Sequence, residues 1–511
     1  MSSDRNTVVV IGGGVGGLAV AARLAKQGWS VQVLEQADEV GGKLGHFERE
    51  GFRFDTGPSI LTMPQVFESL FDDTGASMSS ALQLRQVDPV ARYRFGDGTW
   101  FDAPASDTEF LQNVENMRAG NATELSAFLT RTERIWDATH ETFLEKALNP
   151  FELVLAARRF RDLRTISPWR SLRSLASSYL SDERLVTFVD RYATYTGSDP
   201  RRAPAALASI PHVERAFGVW YIEGGLRRLS DALEERCREL GVTIRTGADV
   251  SEVRVSDGRV SGVVVGDEFI AADVVVANAD ARHLYADLLR TSKSSKREVA
   301  LRRLARAQPS LSGFVLCLAV RGNTPDLAHH TVLFPSRYDD EFDDLFGARP
   351  RVVRDPTVYV SVARDPRVAP PGHESWFVLV NAPRHSPADP AKGIDWNAGD
   401  LRDSYADRVL AVMAARGLDM RDRVLWREIR TPADLETWTR AIGGSIYGTS
   451  SNGARSAFLR PANRSPIPGL FLVGGSSHPG GGLPLVVLSA QIVAGMVGAA
   501  DDIGVQKAEP R

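Results

Sequence analysis

Residues 7–35 read TVVVIGGGVGGLAVAARLAKQGWSVQVLE. A β-branched run, Val8 to Ile11, leads into Gly12, Gly14 and Gly17 with the spacing G-x-G-x-x-G, and the following residues repeat apolar positions at helical period until Gly28. The stretch from Ser30 then alternates as a strand does and finishes on Glu35, 21 residues after Gly14. Strand, turn, helix and strand in that order predict an α/β, Rossmann-like nucleotide-binding unit at the start of the chain.

Each residue of the turn has a physical task in that reading. Gly12 permits the tight turn, Gly14 lets a diphosphate approach the backbone, and Gly17 lets the helix lie close to the strand. The N–H groups of Val15, Gly16 and Gly17 begin the helix and have no partner within it, so they and the dipole favour an anion there. Glu35 would take ribose hydroxyls and reject a ribose 2′-phosphate, with Gln36 beside it. A bare tight turn that binds nothing is the competing reading, and the flanking strand, helix and carboxylate weigh against it.

Composition narrows the rest. A chain of 511 residues, 43% hydrophobic and 24% charged with a net charge of -3, is globular in balance and gives no global signal for nucleic acid. Cys237 and Cys317 are far apart and in no CxxC spacing, which argues against a disulfide framework or a metal site and suits a reducing cytoplasm. His329 and His330 are adjacent rather than at i, i+4, so packing is expected of them, and no metal is expected anywhere. No window reaches the roughly 20 uninterrupted apolar residues of a membrane span.

A second glycine pair, Gly41 and Gly42, is followed by Lys43 and then by Phe54-Asp55-Thr56-Gly57-Pro58. Here the sequence resembles the flavin enzymes that include amine oxidases and carotene desaturases. The resemblance implies FAD, with Gly42, Lys43, Gly57 and Pro58 along its diphosphate and ribityl chain. It also implies that Val250 meets the adenine through its backbone.

The middle of the chain alternates. Gly224-Gly225 opens a helix with Leu226, Leu229, Leu233 and Leu240, and residues 242–277 read as strands with "SDG" as a hairpin turn, expected to return the chain to the nucleotide-binding sheet. The cofactor domain is expected over 1–85, 212–285 and 431–505, an inserted α+β substrate domain over 86–211 and 286–430, and a flexible tail over 506–511. The first insertion reads as mainly helical, with a cap at Asn121; the second contains alternating strands. Residues 151–175 mix Phe151, Phe160 and Trp169 with Arg158, Arg159, Arg161, Arg164, Arg170 and Arg173, a segment that could lie on an anionic membrane surface or be a solvated helix face.

The closing stretch, LFLVGGSSHPGGGLPLVVLSAQIVAGMV at 470–497, reads as a buried strand, a glycine turn and a Pro-led helix. With "GVWYIEGG" and "LAHHTVLFPSRY" it resembles bacterial-type phytoene desaturases along essentially the whole chain, Ser477 standing where Thr is usual. Gly475, Ser476, Pro484 and Leu485 would then meet the flavin. "RYATYTGSDPRRAPA" at 191–205 is similar to the hydroxycarotenoid 3,4-desaturase branch. The resemblance implies an FAD-dependent carotenoid desaturase, cytoplasmic or peripheral on the inner membrane face. Phytoene desaturase, a reduced-flavin carotene isomerase and a prenyl-lipid binding protein are the alternatives. No catalytic residue follows, because a hydride acceptor leaves little need for a strong base; Tyr192 and Tyr195 are candidates for a channel wall, with packing the plainer reading.

Overall fold

The computed structural model describes residues 6–147, 164–453, 456 and 460–500. Its first layer system is a five-stranded sheet in the order Leu470–Leu472, Val274–Ala277, Thr7–Ile11, Ser30–Leu34, Thr243–Arg245, every pair parallel. The valine run at its centre is apolar on both faces because both are covered. Val8 and Val10 pack with the helices Val15–Lys26, Arg227–Glu239 and Leu483–Val497, while Val9 and Ile11 pack with Val253, Val260 and Val263. Those last residues belong to a three-stranded antiparallel sheet of Val250–Ser256, Arg259–Val265 and Glu268–Ala271. The hairpin turn lies at Asp257 and Gly258, both at positive φ (50° and 77°), the geometry that matches strand twist. Residues 250–271 thus form a covering layer rather than rejoining the nucleotide-binding sheet; only Thr243–Arg245 and Val274–Ala277 do that.

The second sheet has seven strands in the order Val424–Arg430, Ser312–Arg321, His373–Ala382, Val358–Val362, His330–Leu333, Ala91–Arg94, Trp100–Ala103. Both insertions build it, the junction being the parallel pairing of Thr331 with Arg92 through Leu333 with Arg94. One face carries Phe314, Leu316, Trp376 and the helix Leu401–Ala415. The other presents Val315, Cys317 and Phe377 to Phe52 and Phe54 of the hairpin that precedes Gly57, and Trp426 meets Phe52 edge-on at 5.4 Å. This contact anchors the hairpin that leads into Asp55–Pro58 on the seven-stranded sheet.

Asn121 is not a helix cap. It is the first helical residue of Asn121–Thr139, buried, and its amide donates to Asp182 at 2.8 Å. The cap is supplied from outside by Glu115, whose carboxylate accepts from Gly120 N and Ala122 N. Among the described residues no helix is long and apolar enough to cross a membrane. Residues 151–163 of the arginine-rich segment and the tail 506–511 lie outside the described residues.

Candidate functional site

Two helices begin without caps and do so side by side. Val15–Lys26 starts at Gly14 and Leu483–Val497 at Gly482; neither start has a side-chain cap or an acidic residue in its first turn. A Cβ placed on Gly16 would stand 3.0 Å from Val486 and 3.2 Å from Gly474, so the two N-termini abut. Pro484 occupies the first turn, where its missing N–H costs nothing. The unsatisfied N–H groups of both ends and their summed dipoles call for a negatively charged group.

The turn below them leaves no room for side chains. A Cβ on Gly17 would lie 2.0 Å from Gly12 O, the close strand–helix approach expected of the third glycine. Asn278 forms the floor: its Nδ2 donates to Gly12 O at 3.3 Å, and a Cβ on Gly14, Gly16 or Gly474 would come within 3 Å of its amide. Sequence reasoning missed this residue. Its signal was a polar side chain ending the apolar run VVVA at the carboxyl edge of a parallel sheet, where α/β folds place ligands.

Glu35 follows the second strand, and its carboxylate accepts from Gly13 N at 2.7 Å and Ala37 N at 2.9 Å. It is thereby fixed at the glycine turn with lone pairs still free for hydroxyl donors. Gln36 Nε2 donates to Trp438 O at 2.7 Å, and Val250 puts its side chain into the core beside Leu34, so both lie on this flank and not over the glycine turn.

The second glycine segment folds back onto the first. Gly41 N donates to Gly13 O at 2.9 Å, and Gly42 sits at φ 56° with its Cβ position 3.2 Å from Gly14 Cα. Lys43 Nζ donates to Ile446 O at 2.6 Å and Ser445 O at 3.2 Å. Burial lowers the Lys43 ammonium to about 8 against the opposing pull of Asp280, and burial likewise raises the Asp280 carboxyl against Lys43. A Cβ on Gly57 would overlap Lys43 O at 1.7 Å, so Gly57, with Pro58 next in the chain, lies directly against Lys43. Asp55 accepts from Leu226 N at 2.7 Å and Arg227 N at 3.0 Å, tying this segment to the helix after Gly224-Gly225.

On the carboxyl-terminal side, Ser476 Oγ accepts from Ala281 N at 3.1 Å, Gly475 O accepts from the buried Arg460, and Ser477 Oγ donates to Gly474 O at 3.0 Å. Leu485 is half-buried near Gly480. Arg460 and Tyr447, whose ring lies within 2.4 Å of a Cβ built on Gly481, were not singled out from the sequence. No periodicity marks either.

Next to Pro58, Ser59 Oγ lies 2.6 Å from Tyr359 OH, which lies 2.8 Å from His330 Nδ1. Burial holds His329 down to about 4 and His330 well below its usual range, so both imidazoles are neutral, and His330 opens the strand His330–Leu333. Tyr192 is fully buried with its hydroxyl on Glu214 at 2.6 Å, and Arg191 stacks on Tyr93, Tyr192 and Tyr195. Tyr192 therefore packs rather than lining an open wall, whereas Tyr195 is half-buried. Arg173 is taken up by Asp190 and Asp339, whereas Arg164 is exposed and Trp169 is 67% exposed. Among the described residues no cluster of His, Cys, Asp and Glu could hold a metal.

Three of the buried polar atoms left without partners fit a dinucleotide. Thr56 Oγ1, Ser445 Oγ and Thr449 Oγ1 are buried without hydrogen-bond partners, on the segments that flank Gly45, Lys43 and Gly448. Hydroxyl groups of this kind, beside two uncapped helix ends and side-chain-free turns, suit a diphosphate joined to a polyhydroxyl chain.

Residues 15–497 match the family of flavin containing amine oxidoreductases. The chain is 35% identical to a 4,4'-diapolycopene oxygenase of Methylomonas sp over 498 residues, covering 96% of this chain and 98% of that protein. It is 31% identical to a 1-hydroxycarotenoid 3,4-desaturase of Flavobacterium sp. over 499 residues, with 96% and 98% covered. In architecture it is similar to a solved oxidoreductase from Methanosarcina mazei, at TM-score 0.63 and 20% identity, covering 95% of this chain and 99% of that one.

Proposed function

For this chain, which belongs to the flavin containing amine oxidoreductase family, close to its bacterial carotenoid oxidase and desaturase branch, we propose desaturation of a carotenoid end segment as the reaction. It is a carotenoid-acting FAD oxidoreductase. The proposal names the finer step: 3,4-desaturation of a polyene, with a 1-hydroxycarotenoid as substrate.

The observation that carries the flavin chemistry is the pair of uncapped helix N-termini meeting over side-chain-free turns, beside a segment that contacts the seven-stranded sheet through Phe52 and Phe54, and the finer step is supported by the 31% identity to the 1-hydroxycarotenoid 3,4-desaturase. Val15, Gly16 and Gly17, with Gly12 and Gly14, would hold the diphosphate; Glu35, Gln36 and Val250 would hold the adenosine side. Gly42, Lys43, Gly57 and Pro58 would hold the ribityl chain, and Gly475, Ser476, Pro484 and Leu485 the ring. Bound there, FAD supplies a two-electron acceptor for a hydride leaving an allylic carbon. The polar groups beside Pro58, namely Ser59 Oγ, Tyr359 OH and the unprotonated His330, are neutral, and burial disfavours protonation of His330, so the proton that leaves the adjacent carbon is left to water.

A second reading, oxygenation of a chain terminus, is favoured by the 35% identity to the diapolycopene oxygenase. Purified protein with FAD, lipid and candidate carotenoids separates the two by mass and absorption spectrum. Loss of hydrogen with a red-shifted spectrum supports desaturation; gain of oxygen replaces it with the second reading. An unchanged polyene, or one altered only in geometry, rejects both in favour of an isomerase or a lipid-binding protein. For delivery of so apolar a substrate, the exposed Trp169 with Arg164 is proposed to touch the membrane surface.

A further inference from the structure

Five arginines are buried among the described residues, namely Arg23, Arg191, Arg227, Arg416 and Arg460. Four of them face a carboxylate: Arg23 meets Asp73, Arg191 meets Glu214, Arg227 meets Asp231 and Arg416 meets Asp355. Arg460 has no such partner among the described residues. Its Nη1 donates to Tyr447 O and Gly475 O, both at 2.8 Å, and its Nη2 to Thr449 O at 2.9 Å, all neutral carbonyls. A buried cation without a counter-charge is expensive, and such charges persist where a ligand completes the pair.

The position of the guanidinium identifies that ligand. It lies against the turn that runs from Gly474 to Gly482, and a Cβ on Gly480 would stand 3.6 Å from its Nε. Gly474, Gly475, Gly480, Gly481 and Gly482 put no side chain between the cation and the far side of the turn. The nearby His478 is held neutral, down to about 4 by burial, so Arg460 adds a full positive charge at this turn to the partial charge of the helix start at Gly482. Burial brings the guanidinium itself down only to about 10, which leaves it charged at neutral pH.

We propose that Arg460 is the fixed counter-cation of the reduced, anionic flavin ring, acting across the glycine turn and raising the cofactor's reduction potential. The proposal rests on the cofactor-site reading above. It assigns the charge to the ring and not to the diphosphate, because the diphosphate already has the N-terminus beginning at Val15.

The test uses the purified full chain with FAD as the only cofactor added and sulfite as the probe of negative charge on the ring. Arg460→Gln keeps amide donors for the carbonyls but removes the charge; Arg460→Lys keeps the charge but loses the fork. The expected result is that Arg460→Gln weakens sulfite addition to bound FAD about tenfold or more and lowers the two-electron potential by the equivalent of that factor, about 30 mV. Arg460→Lys is expected to stay close to wild type in both. If Arg460→Gln loses FAD affinity or thermal stability while its bound flavin keeps the wild-type potential and sulfite affinity, Arg460 is a structural clamp and the inference is overturned. Arg460→Lys falling as far as Arg460→Gln has the same meaning. Should neither variant fold, Arg460→Met, which keeps the length of the side chain without its charge, replaces Arg460→Gln with the same expected and overturning results, and refusal of sulfite by the wild type overturns the inference outright. A wild-type protein that takes up no FAD removes the site reading itself, an outcome visible before any variant is made.

Discussion

Gly17→Ala tests whether the first turn is a cofactor cradle or only a tight connection. The added methyl would stand 2.0 Å from Gly12 O and 3.2 Å from Asn278 Nδ2. Real Cβ contacts essentially never fall under 3.0 Å, so the helix start must retreat by about 1 Å from a strand whose residues Val8 to Val10 are at most 2% exposed. Overpacking of this kind costs about 2–3 kcal/mol in the apoprotein. The same displacement moves the N–H groups of Val15 and Gly16 away from the anion they would bind. Thermal unfolding with and without FAD reads both effects. At a free FAD concentration 100 times the wild-type dissociation constant, binding adds about 2.7 kcal/mol of stability, and a variant bound a hundredfold more weakly retains only about 0.4. Gly241→Ala is the control: it also sits at positive φ (78°) but has nothing within 4 Å of its Cβ position, so it should lose about 1 kcal/mol of apo stability and keep the full FAD increment. A Gly17→Ala protein that keeps the wild-type FAD increment would refute the cradle. Equal loss of the increment in both variants would show that general destabilisation, not the turn, is being measured.

Three further outcomes are expected. Leu485→Glu or Gly482→Glu should release FAD on gel filtration while leaving vesicle binding unchanged, because a carboxylate there sits at the uncapped start of the second helix, in competition with the cofactor for its N–H groups. Stability should fall in acid: the imidazoles of His329 and His478 are held at about 4 in the folded chain against 6.5 unfolded, so below pH 6.5 the unfolded state binds protons first. Each contributes a loss of up to about 3 kcal/mol as pH drops from 6.5 towards 4, with no change above that window; a denaturation midpoint flat across it contradicts the buried, neutral assignment. Trp169→Ser should weaken sedimentation with anionic vesicles about tenfold and leave FAD content intact, and unchanged binding removes this residue from the membrane contact.

The parts of the site built from consecutive residues were legible in the sequence because their physics is local. A run of valines bounded by G-x-G-x-x-G needs no distant partner to be a strand entering a helix, and Gly28 and Pro484 mark a helix stop and a helix start by their own backbone preferences. The second glycine pair could be seen, but not that Gly57 lies on Lys43 O, since that contact closes a loop through a hairpin. Asn121 was misread for the same reason: Asn is a good cap in isolation, and only the folded chain brings Glu115 to the N–H groups and gives the asparagine to Asp182.

The sequence by itself determined the first strand, turn, helix and strand of the nucleotide-binding unit and the chemistry of its turns, since glycine spacing and apolar period act over a few residues. Tertiary structure alone decided which charges are compensated. It joined both insertions in one sheet by pairing residues 92–94 with 331–333, gave Arg173 to Asp190 and Asp339, and placed Asn278 under the first glycine turn. It also left Arg460 under the last turn with only carbonyls for partners. Burial and electrostatic pairing depend on residues hundreds of positions apart, and neither is written in any local pattern.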